Sequence, residues 1–165
     1  MNFTNCTSVA THPLCADGRF GFYTNVGKVR ARGVELGTSV RFGAFSASAN
    51  YTYLDAQNMT PGDSNLGKRL ARRPRNTFNG TVSYTWPFKL ETAASVHVSG
   101  NSYNDAANNQ LLKRYTLVDF RLSYPITDKI ELYARVENAF DEKYQTVLNY
   151  GTYPRTAFGG VRVKM

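Results

Sequence analysis

The densest chemistry in these 165 residues is cationic. Lys68, Arg69, Arg72, Arg73 and Arg75 form one run, with Leu70 and Pro74 interleaved, in a chain of formal net charge +8. Such a run could neutralise phosphates. A binder of single strands would also need aromatic platforms for stacked bases. Here the run ends one element and begins the next, so a solvated rim is the better reading and no nucleic-acid partner is expected. Gly62-Asp-Ser-Asn-Leu-Gly67-Lys68 has the outline of a phosphate-cradling loop. Arg69 stands where Ser or Thr would hold magnesium, and no helical pattern follows, so it is discarded. Cys6 and Cys15 bracket a polar insert holding His12 and Pro13. Only His12 and the distant His97 could complete a metal site, which is too few ligands. A disulfide closing a surface loop is expected, and it implies an oxidising compartment. Two unrelated thiols remain the other reading. Neither histidine has an evident Ser or Cys partner, and the carboxylates are scattered. The residues assemble no catalytic constellation and call for no cofactor.

The composition narrows the class. Aromatic residues make up 13% and charged residues 19%, which excludes a disordered chain. Glu is too scarce for a coiled coil. A membrane helix needs about 18 or more apolar residues in a row, and the longest runs here are a handful. A membrane strand needs only about 9–11 residues and one apolar face.

Period-two alternation is the dominant pattern. Val34, Leu36, Val40 and Phe42 oppose Glu35, Gly37, Ser39 and Arg41. Phe45, Ala47, Ala49, Tyr51 and Tyr53 oppose Ser46, Ser48, Asn50 and Thr52. Val82, Tyr84 and Trp86 share a face, as do Ala94, Val96 and Val98. Val118, Phe120, Leu122 and Tyr124 oppose Leu117, Asp119, Arg121 and Ser123. Ile130, Leu132, Ala134 and Val136 oppose Glu131, Tyr133, Arg135 and Glu137, and Val161 and Val163 oppose Arg162 and Lys164. This predicts seven strands of about ten residues or more, plus a stub at Met1–Asn5. The soluble mean is only about 5–6 residues.

The connections have their own rhythm. Tight turns fall at Gly43-Ala44, at Pro87-Phe88-Lys89 and at Thr127-Asp128-Lys129. Long polar loops fall at Cys6–Gly27, Gln57–Arg73, Tyr103–Lys113 and about Asp141–Pro154. Short turns at one end and long loops at the other mark an outer-membrane barrel. Turn length also sets register: Phe42 should face Phe45, Val40 should face Ala47, Tyr124 should face Leu132, and Phe120 should face Val136. Arg121 then meets Arg135, and Asp119 meets Glu137, with the opposite-sign diagonals compensating. Aromatics gather near the strand ends, as interfacial girdles do. The fold class expected is all-β: antiparallel transmembrane barrel strands. A soluble sandwich is the alternative that alternation alone leaves open.

Four segments resemble the C-terminal part of TonB-dependent outer-membrane receptors. They are Asn25-Val-Gly-Lys-Val-Arg-Ala-Arg-Gly-Val-Glu35-Leu, Leu70-Ala-Arg-Arg-Pro-Arg-Asn-Thr-Phe78, Val136-Glu-Asn-Ala-Phe-Asp-Glu-Lys-Tyr144 and Tyr150–Met165. Within the superfamily the likeness is greatest to the vitamin B12 (cobalamin) receptors. It is carried by Tyr124-Pro125-Ile-Thr, Asn138-Ala-Phe-Asp-Glu-Lys-Tyr-Gln-Thr-Val147, and Tyr150 with Arg155. Siderophore and haem receptors share much of this pattern, and a self-contained structural or adhesive barrel is a further alternative.

The resemblance implies a barrel of roughly 22 strands with a plugged lumen. Residues 1–165 would supply about eight of those strands. The plug, the signal peptide and the segment that meets TonB would lie outside them. Glu35, Arg41, Asp119, Arg121, Glu131, Arg135, Glu137 and Arg162 would line the lumen and hydrogen-bond the plug. The resemblance also implies that Arg72 and Tyr150 contact cobalamin or another large chelate. The apical segment Tyr103–Gln110, with Tyr103 and Asn109, could add contacts. The family's terminal aromatic is Met165 here, a departure that bears on barrel assembly. Lys28, Arg30 and Arg32 share the parity of Val34. They are expected to face outward above the apolar band, where lipopolysaccharide phosphates could pair with them.

Overall fold

The computed structural model describes residues 2–7, 12–15, 19–25 and 27–164. Two small elements come first, β1 (Asn2–Asn5) and β2 (Gly21–Thr24), with a single 3-10 turn (Pro13–Cys15) between them. Then follow β3 (Val29–Phe42), β4 (Phe45–Asn58), β5 (Asn76–Thr85) and β6 (Glu91–Ser99). A short pair, β7 (Ser102–Tyr103) and β8 (Leu111–Leu112), precedes β9 (Tyr115–Pro125), β10 (Ile130–Glu137) and β11 (Thr156–Val163). The long strands make one seven-stranded sheet in the order β11-β10-β9-β6-β5-β4-β3. Every neighbouring pair is antiparallel. The sheet is an up-and-down meander that does not close; β3 and β11 are its edges.

The predicted registers are the observed ones. Phe42 pairs with Phe45 and Val40 with Ala47. Tyr124 pairs with Leu132 and Phe120 with Val136. Gly43 takes φ 55° in the two-residue turn, a left-handed conformation that glycine adopts without the Cβ penalty. At the three-residue turn Lys89 takes φ 69°, and its N–H donates to Trp86 O at 2.8 Å. A left-handed third residue is what such hairpins require. Gly33 serves close approach instead: a Cβ there would meet Tyr53 O at 2.2 Å.

The sheet is a single layer, and this separates it from a soluble sandwich. Among the described residues the buried apolar side chains are only Cys6, Cys15, Ala56 and Leu112. Leu36 is 61% exposed, Val161 58% and Phe42 83%. A contiguous apolar face of this kind requires a partner or a membrane. At the short-turn end, Trp86 lies edge-on to Tyr84 at 5.0 Å and donates to Thr92 Oγ1 at 3.2 Å. Near the other end Tyr51 donates to Asn76 Oδ1 at 2.7 Å. Aromatics that keep a hydrogen bond while burying their rings suit an interface between oil and water.

The opposite face is polar and paired across strands. Ser46 meets Ser83 at 2.7 Å, and Thr81 meets Ser95 at 3.1 Å. Asn79 donates to Asn50 Oδ1 at 2.9 Å, and His97 Nδ1 lies 2.6 Å from Asn79 Oδ1. On the last strands Arg162 pairs with Glu131, its direct cross-strand neighbour.

Three expectations need correction. The Met1–Asn5 stub is not an eighth strand of the sheet: Asn2–Asn5 pairs with Gly21–Thr24 in a separate hairpin. The Cys6–Cys15 disulfide, with Cα atoms 5.5 Å apart, staples that hairpin, and Cys6 N–H donates to Phe20 O at 3.0 Å. A nearby partner costs less closure entropy than a distant one. The Cys6–Gly27 segment is accordingly not all loop. Finally, Arg121 does face Arg135, but the compensation is not diagonal. Arg135 reaches Glu137 on its own strand at 3.3 Å and covers the Phe158 ring at 4.4 Å. Asp119 instead accepts from the Asn138 N–H at 2.8 Å, because β10 ends there and the turn leaves that donor free. Met165 lies outside the described residues.

Candidate ligand-binding site

The segments 59–75, 100–114 and 138–155 all emerge at one end of the sheet, opposite the tight turns. Each is internally pinned. In the first, Asp63 accepts from Asn65 N–H at 2.8 Å and from Asn58 Nδ2 at 2.7 Å. These two donors hold its carboxyl below the ordinary carboxylate value. Asn58 O accepts from Gly67 N–H at 2.7 Å. The phosphate-loop look-alike is thus a stapled turn.

In the third segment, Asn138 is buried with φ 49°, accepts from Glu142 N–H at 2.8 Å, and donates to Glu142 O and Tyr153 O. Asp141 accepts from Arg155 N–H at 3.0 Å and from Lys143 Nζ at 2.9 Å. These contacts explain the Asn138-Ala-Phe-Asp141 pattern physically: its amide and carboxylate tie both ends of the loop together.

The Asp141 carboxyl is held below the ordinary carboxylate value, chiefly by the Arg155 N–H and then by Lys143. A depressed carboxyl gives support that is present above the unfolded value and is lost as pH falls through the lower folded one. The Arg155 amide should therefore stay protected from hydrogen exchange throughout the ordinary carboxylate range and lose protection only at lower pH. Asp141→Asn should lack that acid-dependent step.

Arg69 joins the first two segments. Its guanidinium donates to Asn101 O at 3.1 Å and lies over the Tyr103 ring at 5.4 Å. Burial, then the nearby Arg75, lowers its pKa from the ordinary arginine value. The Asn108 side chain bonds both the N–H and the C=O of Arg69, each at 2.9 Å, as a paired strand would. Arg72 sits at φ 57°, unusual for a residue that is neither Gly, Asn nor Asp. Its N–H donates to Tyr103 O at 2.6 Å and its Nε to Asn104 Oδ1 at 3.3 Å. The same Asn104 oxygen accepts from Leu148 N–H at 3.2 Å, which brings in the third segment.

Of the four predicted ligand residues, Arg72 and Tyr103 are brought into direct contact. Tyr150 is 70% exposed and lines a neighbouring groove of about 480 Å³ with Lys113, Arg114, Tyr144 and Thr152. Asn109 stays at the exposed tip, where its N–H is held by Asp105. The sequence placed Arg69 in a solvated rim and Asn104 and Asn108 in the apical segment, without showing that these residues knit the segments together. Side-chain bonds to distant backbone carry no periodicity, and only the run of Asn and Asp in 104–109 hinted at turns.

Residues 2–139 match the family model described as TonB dependent receptor-like, beta-barrel. The chain belongs to this family. Its resemblance to TonB-dependent receptors therefore stands, and so does the all-β barrel-strand class. It is 33% identical over 141 residues to the vitamin B12 transporter BtuB of Photobacterium profundum, across 85% of this chain and 22% of that protein. Among solved structures, BauA, the ferric preacinetobactin receptor of Acinetobacter baumannii, superposes with a TM-score of 0.72 at 21% identity, covering 81% of this chain and 22% of that one. The ferric-catecholate import receptor Fiu of K12 E. coli gives 0.71 at 22% identity, covering 90% and 22%. These structural likenesses show the fold. The chain spans about one fifth of the length of these relatives.

Proposed function

We propose that residues 1–165 are the C-terminal barrel portion of a bacterial outer-membrane receptor that takes up cobalamin, energised through TonB. The observation that carries this is the 33% identity to a vitamin B12 transporter across 85% of the chain. It is joined to the knitted loop end, where the Arg72 guanidinium has terminal nitrogens to offer and Tyr150 an open ring. An arginine fork suits amide and phosphate oxygens, and a tyrosine offers a flat face with a hydroxyl. In this reading the apolar face meets lipid and the polar face lines the lumen, where Arg121, Glu131, Arg135 and Arg162 meet the plug. The open edges β3 and β11 argue against a self-contained small barrel, since unpaired edges invite aggregation. Further strands of the receptor would cover them.

The test is uptake by cells that have lost their own cobalamin receptor. Producing the full-length protein should restore uptake of labelled cyanocobalamin, and loss of TonB should abolish it. Uptake of a ferric chelate with no cobalamin uptake would contradict the reading.

Lipopolysaccharide is the proposed neighbour of Lys28, Arg30 and Arg32. Arg30 and Arg32 pair across the ladder with Gln57 and Asp55, on the apolar side of the sheet. Arg30 donates to Gln57, and Asp55 holds Arg75 at 2.8 Å, so a charged belt tops the apolar band. Replacing Lys28, Arg30 and Arg32 together with Gln should make the receptor's detergent-resistant folding more sensitive to divalent chelation. Unchanged sensitivity would remove lipopolysaccharide from the account.

A further inference from the structure

The groove beside Tyr150 runs between two walls, the segment leading from β8 into β9 and residues 143–152. Its floor is fixed. Tyr144 packs against Tyr115, the rings tilted by 33° with centroids 4.5 Å apart, and the Tyr144 carbonyl accepts from Thr152 Oγ1 at 2.8 Å. Leu112 is buried, and Arg114 N–H donates to Asn101 Oδ1 at 2.7 Å, so the backbone carrying Lys113 and Arg114 is anchored on both sides.

The charge is one-sided. Lys113, Arg114 and Lys143 line the groove, and no lining residue is acidic. Lys143 is paired with Asp141. Among the described residues, the Lys113 and Arg114 side chains have no hydrogen-bond or ion-pair partner. Two arginines nearby are spent on structure, Arg69 on Asn101 and Tyr103 and Arg75 on Asp55. Two uncommitted cations beside an anchored ring are what a ligand anion next to a flat ring would require. Arginine takes phosphate or carboxylate through two parallel bonds, and the low-mobility ring adds area at little entropic cost.

We propose that this groove is an anion-recognising subsite, in which Lys113 and Arg114 hold a phosphate of the transported ligand while Tyr144 receives the aromatic ring beside it. The inference rests on the cobalamin reading, because that ligand carries a phosphodiester next to a benzimidazole base. Cobinamide lacks both groups, so the pair of ligands isolates the subsite.

The experiment is equilibrium binding of cyanocobalamin and of dicyanocobinamide to outer membranes containing the full receptor. In the Lys113→Gln, Arg114→Gln variant, the preference for cyanocobalamin over cobinamide should fall about tenfold, the scale of losing a charge-assisted hydrogen bond. The salt dependence of cyanocobalamin binding should flatten with it. Arg114→Lys, which keeps the charge and loses the fork, should give an intermediate preference. An unchanged preference, or equal loss of both ligands, would overturn the subsite while leaving the cobalamin reading in place. Failure of the unsubstituted receptor to bind cyanocobalamin would remove both.

Discussion

Ala94→Arg is expected to cost the folded barrel about 2–4 kcal/mol, whereas Ser95→Arg, one residue along, should be tolerated. Ala94 pairs with Val82 and Phe120, near the middle of the apolar face. A guanidinium there would have to sit in hydrocarbon or drag water to it. Ser95 lies on the polar face between Thr81 and Asp119, so an arginine at that position gains a carboxylate neighbour. Urea unfolding of the receptor from lipid vesicles measures the difference. Equal costs at the two sites would mean that the faces do not meet lipid and lumen as assigned.

The second large effect concerns the ligand. Arg72→Ala and Tyr150→Ala should each weaken cobalamin binding, Arg72 more, by about 10- to 100-fold, the range expected for hydrogen bonds to a charged group. Arg72→Gly is the sharper variant. It removes the guanidinium yet suits φ 57°, so the loop is relieved of backbone strain while the ligand contact is lost. Reduced affinity with an unchanged or higher unfolding midpoint is the expected signature in isothermal titration and urea melts. If Arg72→Gly bound cobalamin normally, Arg72 would be a structural residue only.

Much of the sheet was legible because alternation and turn length are local. Gly43-Ala44 sets Phe42 against Phe45 whatever the rest of the chain does. The hairpin at Asn2–Asn5 was not legible, since its own residues pair equally well with a barrel neighbour or with Gly21–Thr24. At the site, residue types pointed to Arg72 and Tyr150, but nothing local places Arg72 against Tyr103 or bridges it to Leu148 through Asn104. Those contacts depend on three loops meeting, which follows from the meander and not from any one segment. The unpaired state of Lys113 and Arg114 was hidden for the same reason: which cations are spent on structure is decided by neighbours distant in the chain.

The most direct test of the account is competition binding of labelled cyanocobalamin to outer membranes holding the full receptor. Saturable binding that unlabelled cobalamin displaces, and that ferric citrate or a ferric catecholate does not, is the expected result. Displacement by a ferric chelate, or the absence of saturable cobalamin binding, would contradict it.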